Sequence, residues 1–150
     1  MSPLFNRRAM LRATAAAASA LVLPQAQACE FFATTLRIWH PWSRASLPGA
    51  TDAVVCMRLD EVRLADRLIG VETPLASGAD LAGLKAGTLS DLLIPAGQET
   101  LLSEDSTYLR LTGLQQALEV GCAYPLKLVF EHGGTVNAQL SIDFGGQRFS

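Results

Sequence analysis

The sequence has few of the residues from which metal sites and catalytic centres are built. Its 150 residues include three cysteines, three methionines and two histidines. There is no CxxC and no Cys/His cluster at zinc spacing, so neither a zinc site nor a dithiol redox centre is expected. Nucleophile elbow, glycine-rich phosphate loop and HExxH are all absent, and no His stands near a Cys or Ser at a recognisable spacing. An enzyme is therefore not expected. The carboxylates Glu61 and Asp66, and Glu104 and Asp105, fall in turns and suit solvation better than acid–base work. Beyond residue 28 no apolar run approaches the roughly 18 residues of a membrane-spanning helix.

What is present begins with Arg7-Arg8, Ala9-Met10-Leu11-Arg12 and the alanine-rich stretch from Ala13 to Leu23. A basic front, a short apolar stretch and the small-residue pattern Ala26-Gln27-Ala28 read as a cleaved export signal over residues 1–28. The paired arginines resemble a twin-arginine leader, with ordinary secretion as the alternative route, and the periplasm is the expected address. Cys29 follows the cut directly. A lipid anchor there is disfavoured, because Ala26 stands where a lipoprotein signal has a larger aliphatic residue. Residues 29–150 read as a single domain. Loss of Arg7, Arg8 and Arg12 reduces twelve basic residues to nine against fourteen acidic ones, a net charge near −5. Nucleic acid and anionic membrane surfaces are poor partners for such a chain. The odd set Cys29, Cys56 and Cys122 leaves at least one cysteine free, lipidated or paired between chains, and one bridge or none is expected within the chain.

Hydrophobic residues recur mostly with period two. Val136, Ala138, Leu140, Ile142 and Phe144 alternate with Thr135, Asn137, Gln139, Ser141 and Asp143, a strand with one wet face. Leu126, Leu128 and Phe130 repeat the pattern, and Glu131-His132-Gly133-Gly134 supplies a hairpin turn between the two. Further strands are expected at Phe32 to Trp39, Ala53 to Leu59, Arg67 to Glu72, Asp91 to Ile94, Glu99 to Leu102 and Thr107 to Leu111. Turns are expected at Pro48-Gly49, Ser77-Gly78, Pro95-Ala96-Gly97 and Gly121 to Pro125. Leu81 to Lys85 and Leu114 to Val120 could each form a helical turn or two, too little to organise a core. The pattern predicts an all-β fold, a Greek-key β-sandwich or barrel of about seven to eight strands.

Six phrases in order carry a family resemblance: Trp42-Ser43-Arg44-Ala45 running into Pro48-Gly49; Asp66 through Ala76; Ile94-Pro95-Ala96-Gly97; Tyr108 through Leu114; Leu118 and Gly121; and Pro125 through Glu131. Together they span Ile38 to Phe144 and resemble the periplasmic copper chaperone family PCuAC. The resemblance implies a cupredoxin-like β-sandwich, copper as cargo, chiefly Cu(I), and a role in copper delivery or respiratory oxidase assembly. It implies as partner another periplasmic copper or oxidase-assembly protein. The family's ligands are a His and Met pair early in the domain and a His-x-Met pair on a later strand. Thioether and imidazole are soft, neutral donors for Cu(I), and residues at i and i+2 of a strand project from one face.

This chain departs from its relatives at those positions. The His-x-Met pair is replaced by Tyr108 and Arg110, and a guanidinium has no lone pair to give a metal. The stretch from Ala79 to Gly87, where the first pair should fall, contains neither His nor Met. No usual copper ligand is expected, which counts against copper as a cofactor. Weak substitutes are His40, Cys56, Cys122 and His132, each more simply read as a strand-end or structural residue. Met57 groups with the core face of its strand, whereas Cys56 points the other way, toward solvent. Trp42 and Arg44 share a face and read as a structural pair. Tyr108 and Arg110 are binding-face candidates, able to hold a carboxylate, a phosphate or an acidic loop. Three functions remain open: a copper-chaperone-like protein with a degenerate site, a metal-free binding module of the same fold, and a copper protein using substituted Cys and His ligands.

Overall fold

A computed structural model describes residues 29–143, so the export leader read at 1–28 and the strand residue Phe144 lie outside it. The described residues form ten strands: β1 (Glu30–Phe32), β2 (Arg37–Arg44), β3 (Asp52–Asp60), β4 (Asp66–Glu72), β5 (Ala76–Gly83), β6 (Leu93–Ile94), β7 (Thr100–Leu102), β8 (Thr107–Leu114), β9 (Ala123–Phe130) and β10 (Gly134–Asp143). They lie in the order β5-β8-β3-β2-β10-β9-β4-β6, with β1 beside β2 and β7 beside β3. The β2–β10 pair is parallel and the other pairs are antiparallel. The sheet curls until β4 comes alongside β5, enclosing a single apolar interior. The described fold is all-β, as the alternation predicts.

The period-two pattern sets the inward face directly. Val136, Ala138, Leu140 and Ile142 of β10 are buried together with Leu126, Leu128 and Phe130 of β9. Across the interior lie Val55, Met57 and Leu59 of β3 and Leu109 and Leu111 of β8. Each such side chain contributes about 1.5–3 kcal/mol by leaving water.

Several local expectations shift. The segment from Phe32 to Trp39 is not one strand: the chain turns between Ala33 and Leu36, where Ala33 N–H donates to the Leu36 carbonyl at 2.9 Å. β2 then continues past Trp39 through a bulge to Arg44, and His40 takes φ 45° within it. A bulge allows two residues to oppose one without ending the strand. Ser77-Gly78 is not a turn but lies inside β5. Gly78 is there because β5 packs closely on β8: a Cβ at that position would lie 2.9 Å from Thr112 Oγ1. The two helical turns do not form. Leu81 to Gly83 ends β5, and the chain after Leu114 turns without helix. Among the described residues the only helical piece is a single 3-10 turn at Leu89–Asp91.

β7 and β8 run along the same edge of β3, Leu101 opposite Arg58 and Arg110 opposite Val54. The excursion Ser103–Ser106 separates them, and the Ser106 carbonyl crowds Gly83 at the end of β5. Gly83 has φ +90°, and a Cβ there would meet that carbonyl and lie 3.1 Å from the Tyr108 ring. Gly83→Ala is therefore expected to lose about 2 kcal/mol or more. Gly97→Ala, at φ +74° with nothing within 4 Å, is expected to lose no more than about 1–2 kcal/mol, from the backbone alone. Urea midpoints of the two variants measure the difference.

One buried carboxylate ties the lower end together. Asp66 opens β4 at 1% exposure. It accepts from Thr35 Oγ1 at 2.7 Å, from the backbone N–H groups of Arg67 and Gly133 at 2.8 Å, and from that of His132 at 2.9 Å. Burial by itself would raise its pKa, but the four donors together outweigh that and hold the carboxyl below the ordinary range.

Candidate functional site

The two segments where the resemblance puts the ligand pairs are neighbours in the sheet. β8 carries Tyr108 and Arg110 outward while Leu109 and Leu111 are fully buried. β5 lies alongside in the register Asp80↔Arg110 and Ala82↔Tyr108. Arg110 donates from Nε to Asp80 Oδ1 at 2.9 Å and from Nη2 to Asp80 Oδ2 at 2.7 Å, a two-point ion pair. Hydrogen bonding by Asp80, then its charge, raises the Arg110 pKa further above its already high ordinary value. Tyr108 lays its ring over Gly83, where a side chain would collide with it.

This geometry limits the chemistry of the face. A guanidinium offers donors only, and the carboxylate opposite is a hard oxygen ligand already engaged by two N–H groups, so the pair offers Cu(I) no soft lone pair. Asp80 takes two of the five guanidinium N–H groups and balances the charge of Arg110. Asp80 is the residue that sequence reasoning missed. Its signal is parity: it faces outward on β5, but only the register of β5 against β8 shows that Arg110 is its partner.

The substitute ligands are dispersed. His40 Nε2 lies 3.3 Å from Asp143 Oδ2, and its backbone N–H donates to the Cys29 carbonyl at 2.6 Å. His132 sits in the β9–β10 turn, its backbone N–H on Asp66. The ten residues of β10 separate the two histidines, each residue adding about 3.3 Å. Cys122 is half-buried where its carbonyl accepts from Ile142 N–H at 3.1 Å. Among the described residues no three of His, Cys, Asp and Glu gather as a metal-holding group.

One expectation is corrected, and the Trp42–Arg44 reading gains detail. Cys56 faces away from the core, as its parity predicts, but it is 0% exposed rather than open to solvent. Trp42 of β2 stands opposite it, and the Ser103–Ser106 excursion lies over it. Burial, followed by the charge of Glu104, pushes its thiol up to about 12. Trp42 and Arg44 share the outer face, but Trp42 is buried and Arg44 reaches away to Glu104, with Nε 2.6 Å from Oε1. Trp39 also meets cations, the guanidinium groups of Arg37 and Arg58.

Comparison with known proteins places this architecture. The family model described as "Putative lipoprotein LpqE-like" matches residues 36–142. Among solved structures, the copper-bound PCuAC domain from PmoF2 is 25% identical, with a TM-score of 0.70 over 76% of this chain and 97% of its own. The apo PCuAC domain from PmoF1 is 27% identical, with a TM-score of 0.68 over 76% of this chain and 98% of its own. The Cu(I) form of DR1885 from Deinococcus radiodurans is 25% identical, with a TM-score of 0.60 over 88% of this chain and 87% of its own. No curated protein matches. A sheet of this order, with matched sequence running from Leu36 in the core to Ile142 at the end of β10, shows that the chain belongs to the LpqE-like family and has the PCuAC-type, cupredoxin-like fold.

Proposed function

We propose that this is an exported, periplasmic copper-chaperone-like protein that serves copper delivery or respiratory oxidase assembly through protein contacts, with the family's copper position closed by an ion pair. The observation that carries the reading is the two-point Asp80–Arg110 bond, which joins the segments where the relatives' two ligand pairs are expected. Charge neutralisation across β5 and β8 supplies what a bound cation would otherwise supply, attraction between the two strands. The fold is kept and the cargo position is filled from within. The partner on this reading is another periplasmic copper or oxidase-assembly protein, and the chain works as a binding module beside it.

Titration of residues 29–150 with Cu(I) against a competing chelator tests the proposal. The expected result is no sub-micromolar binding by the native chain. Tyr108→His/Arg110→Met, which puts two soft donors at i and i+2, should raise Cu(I) affinity at least tenfold. Sub-micromolar binding by the native chain that disappears on replacing His40, Cys56, Cys122 or His132 would establish substituted ligands instead. Deleting the gene should lower oxidase activity in the host, and native protein and Asp80→Asn/Arg110→Gln should restore it equally. The mass of the exported N-terminus distinguishes an unmodified Cys29, which this reading expects, from the lipid anchor suggested by the family description.

A further inference from the structure

The outer face of β1, β2, β3 and β7 carries a band of side chains that the copper reading does not use. The registers set Glu30, Trp39, Arg58 and Leu101 in one row and Phe32, Arg37 and Asp60 in the next. Trp39 meets two guanidinium groups, with Arg37 Cζ 5.4 Å and Arg58 Cζ 5.2 Å from its ring centroid. Arg37 is locked further by Asp60 through bonds of 2.7 and 2.8 Å. Arg58 is not: its buried Nε makes no hydrogen bond and has Asp60 at 3.4 Å and Glu99 at 3.8 Å only as charges. On either side of this ordered stack, Phe32 is 63% and Leu101 43% exposed.

Tryptophan, arginine and exposed apolar side chains, fixed in place before any partner arrives, make up the residue set of an interface centre. Ordering them in advance removes part of the entropy that association otherwise loses. The rim selects the partner. Arg37 and Arg58 face four carboxylates, Glu30, Asp60, Glu61 and Glu99, of which Glu61 and Glu99 are each 52% exposed. Both also line a groove of about 530 Å³ beside the band, together with Arg63. Four carboxylates against Arg37, Arg58 and Arg63 leave a negative surplus of one, so anionic lipid is disfavoured and a basic protein segment is attracted.

We infer that the Phe32–Trp39–Leu101 band is a docking surface for a partner protein that presents a basic segment, its lysine or arginine over Glu61 and Glu99 and its apolar side chain on Phe32 and Leu101. The inference goes beyond the copper reading and shares no residue with the Asp80–Arg110 face. It stands or falls whether or not Cu(I) binds.

The test is photocrosslinking in cells that make the full-length protein, from p-benzoylphenylalanine placed at Phe32, at Leu101 or at the exposed Gln139 of β10, with the adduct peptide sequenced. The expected result is one discrete protein adduct from positions 32 and 101 and none from 139. The crosslinked segment should carry Lys or Arg within three residues of an apolar side chain. Glu61→Gln/Glu99→Gln should lower the yield at least fivefold with an unchanged melting temperature. A synthetic peptide of that segment, titrated by Trp39 fluorescence, should bind at least fivefold more weakly at high than at low salt. No adduct above that of Gln139, an adduct to lipid or to a second copy of this chain, an acidic segment, or a yield indifferent to the charge variants would overturn the inference.

Discussion

Replacing Asp66 by alanine is expected to remove about 3 kcal/mol of stability, a large share of the roughly 5–15 kcal/mol available to a domain of this size. The carboxylate is the shared acceptor for the Thr35 hydroxyl and for the N–H groups of Arg67, His132 and Gly133. Without it those backbone donors, from the start of β4 and the β9–β10 turn, lose their common acceptor, and water entering from the adjoining groove of about 200 Å³ lined by Asp66, Arg67 and His132 replaces that network only in part. Asp66→Asn should lose nearly as much, because its amide turns two donors toward donors and keeps one acceptor. The melting temperature should fall by about 10 °C in either variant, read by circular dichroism.

The pH dependence follows with a definite sign. Asp66 and Asp60 both have lowered pKa values, Asp66 through its four donors acting against burial and Asp60 first through its hydrogen bonds from Arg37. A carboxylate more acidic in the folded state than in the unfolded one contributes stability that is fully present above the unfolded value, near pH 4, and is lost as pH falls through the depressed value. Denaturant midpoints should therefore be flat from about pH 5 upward and decline below about pH 4. In Asp66→Asn the decline should be shallower.

Alternation made β10 and β9 legible, because every second residue from Val136 to Ile142 is apolar and the intervening ones are polar. β5 was hidden for the opposite reason. Its sequence, Ala-Ser-Gly-Ala-Asp-Leu-Ala-Gly, has small side chains of low strand preference and a dipeptide that signals a turn, and it is held as a strand by its pairing with β8. Tertiary pairing overrides local preference there. The same long-range register conceals the ion pair: Arg110 is visible as a fixed cation, but thirty residues separate it from Asp80, and neither position announces the other. Loss of the soft donors could be read residue by residue, whereas what closes the position depends on which strands meet. Parity has a further limit, since it says which face of β3 Cys56 occupies but not that Trp42 and the Ser103–Ser106 excursion cover that face.

The concealment of Cys56 leads to the largest expected difference in rate. Thiol reagents attack the thiolate, and a thiol near 12 has about one molecule in 10⁴ ionised at pH 8, against about a quarter for an ordinary cysteine. Ionisation alone slows Cys56 by about 10³-fold, and burial at 0% exposure requires the cover to open before a reagent can enter. In Cys29→Ser, Cys122, half-buried, should be labelled by an aromatic disulfide reagent within minutes at pH 8 while Cys56 remains unmodified for hours. Adding 6 M guanidinium should bring both to the same rate. Removing the cover selectively should also tell: Trp42→Ala should speed Cys56 labelling at least tenfold without altering Cys122. Prompt labelling of Cys56 in the native protein, mapped by peptide mass, would place its thiol at the surface and restore the open outer face expected from strand parity alone.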